Sequence, residues 1–273
     1  MRSTVHLISG LPRSGSTVLS ALLKQNPRFS AAVTSPVASL VGPLLQNMSG
    51  GGGEFAVFFN DARRRAMLRG IFDSYYADVP TDHVVFDTNR TWTGKLPLLH
   101  DIYPTSRVIC CVREIGWILD SIERLLRTNP LQLSRTFDFK PGSSLYARVE
   151  TLMNSERGLI GLAWSTLREA WFSQYAGKLI VINYETLVGS PATVLQRLYR
   201  ELEQPWYEHD FDNINHDEPE YDAQLGMPGM HRVRGKVEHQ SRESCIPPEL
   251  FAKYADLNFW LKPEMRRREI VVL

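Results

Sequence analysis

Gly10-Leu11-Pro12-Arg13-Ser14-Gly15-Ser16-Thr17 follows an apolar run at residues 4–9 and precedes Val18, Leu19, Leu22 and Leu23, which recur at helical spacing until Asn26-Pro27 stops them. A strand, a glycine turn and a helix start aim several unpaired backbone N–H groups and the positive end of a helix at one spot, so the stretch binds an anion. A turn that only caps a helix needs less than two glycines, an arginine and three hydroxyl residues in eight positions. Gly10 and Gly15 have the spacing of a P-loop, GxxxxGK[ST], but Ser16 stands where the lysine belongs, while Thr17 keeps the hydroxyl place. Without that ammonium the γ-phosphoryl charge of a nucleoside triphosphate lacks its partner. The cation here is Arg13, inside the turn, which suits a shorter anion such as a 5′-phosphosulfate.

Three further runs share the character of the first, at residues 83–87, 107–112 and 178–183. Each is nearly continuous in apolar residues, as strands covered on both faces are. Helical spacing marks residues 18–25, 63–76, 115–127, 159–175 and 192–203 between and beside them. The alternation predicts an α/β fold, a P-loop-like three-layer sandwich with a central parallel sheet of about four to five strands flanked by helices. Ligands of such sheets bind beyond the carboxyl ends of the strands.

With 273 residues and no break in composition, the chain reads as one α/β domain over residues 1–273. Residues 205–228, acidic and without a regular period, read as a surface excursion, and Gly50-Gly51-Gly52-Gly53 as a linker rather than an active-site flap. Trp164, Trp171 and Phe172 lie at helical spacing and are expected in the core rather than on an acceptor platform.

Lys and Arg number 31 against 30 Asp and Glu, so a net charge of +1 supplies no field to draw nucleic acid or an anionic membrane, and neither is expected as a partner. Any anion must be gripped locally. Arg266, Arg267 and Arg268, flanked by Glu264 and Glu269, read as a solvated helix end. Cys110 and Cys111 adjoin inside an apolar run and Cys245 is remote, which is neither a disulfide framework nor a zinc spacing. Reduced thiols, no leader pattern and no apolar run of about 18 residues point to a cytoplasmic protein.

The run at 107–112 ends at Arg113, and Ser121 follows eight residues on, about 2.2 helical turns, so both can face one side of a helix entrance. They form either a second phosphate site or, in the case of Arg113, a surface ion pair with Glu114 or Asp120.

Together these stretches resemble the sulfotransferase family that uses 3′-phosphoadenosine-5′-phosphosulfate (PAPS). Leu11 through Thr17 is similar to its 5′-phosphosulfate loop, and Cys111-Val112-Arg113 through Ser121 to its 3′-phosphate motif. Ile182-Asn183-Tyr184-Glu185-Thr186-Leu187 is similar to a stretch whose tyrosine, here Tyr184, contacts the nucleotide base. The Pro-Arg-Ser-Gly form is closest to protein-tyrosine sulfotransferases and their bacterial relatives. The resemblance implies PAPS as donor, adenosine 3′,5′-bisphosphate (PAP) as product, and no metal requirement. It further implies that Arg13, Ser14, Gly15, Ser16 and Thr17 hold the 5′ end, that Arg234 and Lys236 close over the 3′-phosphate, and that the acceptor is a hydroxyl, protein tyrosine among the candidates, or an amine.

In-line sulfuryl transfer builds charge on the leaving oxygen, so positioned cations are its main catalytic device. Arg13 is expected there. Arg90 would join it, by resemblance to a lysine that follows an asparagine in relatives, with a plain surface arginine as the alternative. Tyrosine-protein members place a glutamate base shortly after the first helix, but residues 31–36 here hold no carboxylate. Asp87 is the substitute expected, ahead of Glu54 and His100. Asp87 also supports a rival class, a P-loop ATP-dependent small-molecule kinase that uses it to hold a metal, and the missing glutamate leaves room for a binding module without activity.

Overall fold

The four apolar runs become the four inner strands of a six-stranded sheet in the computed structural model, which describes residues 4–138, 144–238 and 241–273, the side chain of Arg234 excepted. In chain order the first half holds β1 (Val5–Gly10), α1 (Ser16–Leu23), β2 (Phe29–Ala31), α2 (Val37–Asn47), α3 (Asp61–Tyr75), β3 (Val84–Thr88), α4 (Leu96–Ile102), β4 (Val108–Val112) and α5 (Ile115–Thr128). The second half holds α6 (Leu145–Met153), α7 (Gly161–Phe172), β5 (Leu179–Asn183), α8 (Tyr184–Gly189), α9 (Pro191–Glu201), β6 (Ile214–His216), α10 (Pro219–Leu225), β7 (Val233–Gly235), α11 (Pro248–Tyr254) and β8 (Val271–Val272).

The sheet order is β2-β3-β1-β4-β5-β8, and each pairing is parallel. Successive strand residues point to opposite faces. Cys110 therefore enters the layer packed by α2 to α5 and α7, with Phe72, Leu99, Ile118 and Leu167, while Cys111 enters the layer packed by α1, α8 and α9, with Leu22, Leu187 and Leu198. Helices on both faces make the three-layer α/β sandwich expected. Both buried thiols are free, and burial pushes Cys111 up to about 12.

The sheet is wider than expected because β2 and β8 close its edges. They have three and two residues, too few for periodicity to register. The C-terminus correspondingly is not a helix end: Arg266 to Arg268 lead into β8, where Leu273 N–H donates to the Val181 carbonyl at 2.8 Å. Residues 205–228 supply β6, which pairs antiparallel with β7, and α10, whose Asp222 is fully buried. Trp171 is in the core, its indole N–H donating to the Met265 carbonyl at 2.8 Å, whereas Phe172 is 49% exposed. Gly50 begins a short 3-10 segment, Gly50–Phe58, with Phe55 and Val57 exposed. No helix among the described residues is long and apolar enough to cross a membrane.

From β1 the chain goes out to the edge strand β2, returns to β3 beside β1, and then crosses to β4 and β5 on the other side of β1. The crevice beyond such a reversal is where ligands of open α/β sheets bind.

Candidate functional site

The glycine turn leaves β1 pressed against β4. Gly10 has φ 102°, and a Cβ there would lie 2.2 Å from the Cys111 carbonyl oxygen, so glycine is required on both counts. Leu11 N–H donates to that carbonyl at 2.8 Å. Ser14, fully buried, donates its hydroxyl to the Leu11 and Cys111 carbonyls and does not reach the cavity, a correction to its expected place among the ligand contacts. Gly15, at φ 95°, is the N-cap of α1 and brings no side-chain cap. The first amides of that helix are left for an anion beside the hydroxyls of Ser16 and Thr17.

One cavity of about 420 Å³ opens in front of this turn, and Arg113 and Ser121 line it together with Gly10 to Arg13 and Gly15 to Thr17. The volume is that of a small-molecule site. Arg113 leaves the end of β4 with its side chain 12% exposed, stacks 4.0 Å from the centre of the Tyr184 ring, and donates from Nε to Glu185 Oε1 at 3.3 Å. Neither Glu114 nor Asp120 holds it: Asp120 accepts from Arg124 at 3.1 Å, Arg242 at 2.6 Å and the Cys245 amide at 2.7 Å. Tyr184 is wedged between Arg113 and Gly15, where a Cβ would come within 3.0 Å of the ring.

Arg13 is rooted in the turn but tied to the other side. Its Nε donates to Ser121 Oγ at 3.1 Å and its Nη1 to the Met230 carbonyl. Arg13 thus bridges from the glycine turn to Ser121 on α5 and to the segment at Met230, rather than lying within the turn alone as expected. Burial and the like charge of Arg113 disfavour its cation and lower its pKa, a cost that a bound anion relieves.

On the β3 side, Asn89 Oδ1 accepts from Thr91 N–H at 3.1 Å and starts the turn that carries Arg90 into the cavity. Burial lowers the Arg90 pKa as well, and no carboxylate pairs with it among the described residues. Asp87 is not brought to the site. It is fully buried and accepts from Ser35 Oγ at 2.6 Å, Tyr76 OH at 2.7 Å and Trp92 Nε1 at 2.7 Å, so it secures the β3 end and is out of an acceptor's reach. Burial raises its pKa against those three bonds. Glu54 and His100 are exposed and do not line the cavity.

Lys236 lines the cavity, yet its ammonium is exposed and paired with Asp212 at 2.9 Å. The Arg234 side chain lies outside what the structure describes, and its backbone, in β7, pairs opposite Asn215 of β6. Tyr221 and Arg242 are lining residues that sequence reasoning missed, and His231 and Arg232 line the cavity as well. His231 Nδ1 lies 2.6 Å from Asp222 Oδ1, and its backbone N–H donates to Asp222 Oδ2 at 2.9 Å. The stretch from His231 to Lys236 was legible only as a cluster of cations, and Asp222 was hidden among the carboxylates of an acidic segment. Among the described residues, Arg13, Arg90, Arg113, Arg232, Lys236 and Arg242 face the cavity against a single lining carboxylate, Glu238. A chain that is near neutral as a whole is thus locally cationic at this cavity.

A sequence model described as "Sulfotransferase family" matches residues 7–208. A search of curated proteins by sequence finds no match. Among solved structures, a sulfotransferase from Alicyclobacillus acidocaldarius is similar at a TM-score of 0.54 and 14% identity, over 98% of this chain and 100% of that one. The sulfotransferase STF9 from Mycobacterium avium is similar at 0.52 and 12%, over 96% and 77%. At these identities the likeness is one of fold.

Proposed function

The chain belongs to the sulfotransferase family, and on that premise we propose that it transfers a sulfuryl group from PAPS to an acceptor hydroxyl, protein tyrosine included, or to an amine. The observation that carries the reading is the single cavity shared by the helix α1 turn and the Arg113–Ser121 pair. The strands behind its outer walls, β3 and β4, flank β1 and so lie two strand spacings apart, about 10 Å. A nucleotide with an anion at each end, rather than a triphosphate with its charge at one end, matches that distribution.

The residues present fit such a donor. The amides of Gly15, Ser16 and Thr17 would hold its 5′ end, and Arg113 and Ser121 its 3′-phosphate, with Arg13 between them. When bound, PAPS supplies an activated sulfuryl group and a bisphosphate leaving group. Arg90 and Arg13, desolvated and without carboxylate partners among the described residues, stabilise negative charge where it grows. Arg113 must exchange its bond to Glu185 for the phosphate while keeping its stack on Tyr184. A kinase would call for a lysine at the position of Ser16 and an accessible aspartate at the end of β3, where Asp87 is locked by three donors.

Thermal unfolding with PAP, compared with ATP plus magnesium, tests the reading. PAP at about 100 times its Kd is expected to stabilise the protein by about 2.7 kcal/mol, a rise in Tm of roughly 5 °C or more at this chain length. Stabilisation by ATP and magnesium with no response to PAP refutes it. Arg113→Ala is expected to weaken PAP binding roughly 10- to 100-fold through loss of a charge-assisted hydrogen bond, with the Tm of the free protein nearly unchanged. Undiminished affinity in that variant removes the 3′-phosphate pole.

A further inference from the structure

We infer that His231, held by Asp222, is the base that takes the acceptor's proton, an inference that rests on the sulfuryl-transfer reading and names the group which that reading lacks. The places where a base was expected do not provide one: residues 31–36 carry no carboxylate, Asp87 is sealed, and Glu54 and His100 stand outside the cavity. His231 lines the cavity on the segment between α10 and β7.

Asp222 fixes which nitrogen of His231 is available. The carboxylate is fully buried in α10 and turns both oxygens to one residue, Oδ1 to the ring Nδ1 at 2.6 Å and Oδ2 to the backbone N–H at 2.9 Å. A carboxylate only accepts, so the ring proton sits on Nδ1 and the lone pair on Nε2. Nε2 has no partner among the described residues. This is the division of labour of an Asp–His pair, in which the aspartate selects the tautomer and the other nitrogen exchanges protons.

The charges facing the ring are Asp222 from α10, Arg13 from the glycine turn and Arg90 from the turn after β3, with the Tyr221 ring 5.4 Å away. Burial, Arg13 and Arg90 outweigh Asp222 and put the imidazole below its ordinary 6.5, so it is neutral at pH 7 and can accept. Arg13, whose Nη1 donates to the carbonyl of Met230 next to the ring, and Arg90 line the same cavity as His231, so the ring and both cations border one ligand space. In the step itself the acceptor's proton passes to Nε2, and the acceptor oxygen's lone pair forms the new bond to sulfur. The bond from sulfur to the 5′-phosphate oxygen breaks with its electron pair remaining on that oxygen. The imidazolium then returns its proton to solvent.

Nitrogen-15 NMR of histidine-labelled protein reads the base without an acceptor. Expected are a proton on Nδ1, a bare Nε2 at pH 7, a titration midpoint below 6.5, and a shift of the Nε2 signal when PAP is added. A proton on Nε2, a ring charged at pH 7, or a ring indifferent to PAP that demonstrably binds overturns the inference and leaves the sulfotransferase reading intact. Failure of PAP to bind defeats both.

Turnover supplies the second arm, followed as PAP released from PAPS with 2-naphthol as the acceptor probe. His231→Ala and His231→Gln are expected to keep PAP affinity within about twofold and to lose turnover by about 100-fold or more. Added imidazole restores part of it in His231→Ala only. Asp222→Asn, a change at a positioning residue, is expected to lower kcat with KM for PAPS unchanged and to move the ring proton toward Nε2. Full turnover in both His231 variants, or a loss confined to Glu238→Gln, overturns the assignment.

Discussion

Asp87 does not take the role that its position in the sequence suggests, and hydrogen bonding is the reason. An aspartate at the end of an apolar strand has the place of a catalytic group, but three donors converge on it: a serine next to β2, a tyrosine at the C-terminus of α3 and the indole of Trp92. Asp87→Ala would leave those donors unsatisfied in the core, at about 1–3 kcal/mol each, so a loss of at least about 3 kcal/mol is expected in denaturant unfolding. An Asp87→Ala protein of normal stability that has lost only turnover would contradict the structural role given to it here. His231, in contrast, lines the cavity with only its Nδ1 engaged by Asp222, which leaves Nε2 for the proposed proton transfer. Glycine at position 10 belongs to this scale too, since the chain touches the β4 backbone where any Cβ would sit.

At the level of elements, what counts is how each strand ends. The carboxyl ends of β1, β3 and β4 deliver Arg13, Arg90 and Arg113 to one crevice, and β5 delivers Tyr184 beneath Arg113. The helix α1 is capped by glycine instead of a serine or aspartate side chain, which leaves its amides for a ligand at some expense in stability. The edge strand β8 is short, but Ile270 and Leu273 beside it are buried, and Val271 and Val272 pair with Ile180 and Val181. Burial of such side chains contributes about 1.5–3 kcal/mol each. Deleting residues 270–273 is therefore expected to destabilise the protein by at least about 3 kcal/mol, measured by urea unfolding, while PAP affinity of the folded fraction is unchanged because the cavity lies at β1 and its neighbours.

For the whole molecule, stability should depend on acid through two histidines remote from the proposed chemistry. His6 accepts the Arg107 N–H at 3.1 Å, and burial with Arg107 and Lys178 lowers it to about 4. His209 sits among Tyr199, Trp206 and Tyr207, and burial takes it to about 4 as well. Between 6.5 and about 4 the unfolded chain binds protons that the folded one does not, so stability falls as pH drops through that window and is unaffected by these groups above it. Calorimetry should show Tm declining below about pH 6.5, with the decline reduced in the His6→Gln, His209→Gln double variant. The sequence by itself determined the four inner strands and the glycine turn that opens on the cavity, because strands covered on both faces must be continuously apolar and two glycines before a helical period mark a tight strand-to-helix turn. It also named Arg13, Arg90 and Arg113, each placed by a strand end. Only the tertiary structure decided which ionisable groups meet. The partner of Arg113 is 72 residues away at Glu185 and that of Arg13 is 108 away at Ser121, and His231 reaches the cavity from the far side of an acidic segment. Strand ends can be read from local pattern, whereas the burial of Asp87 and the opening of His231 depend on packing between elements distant in the chain.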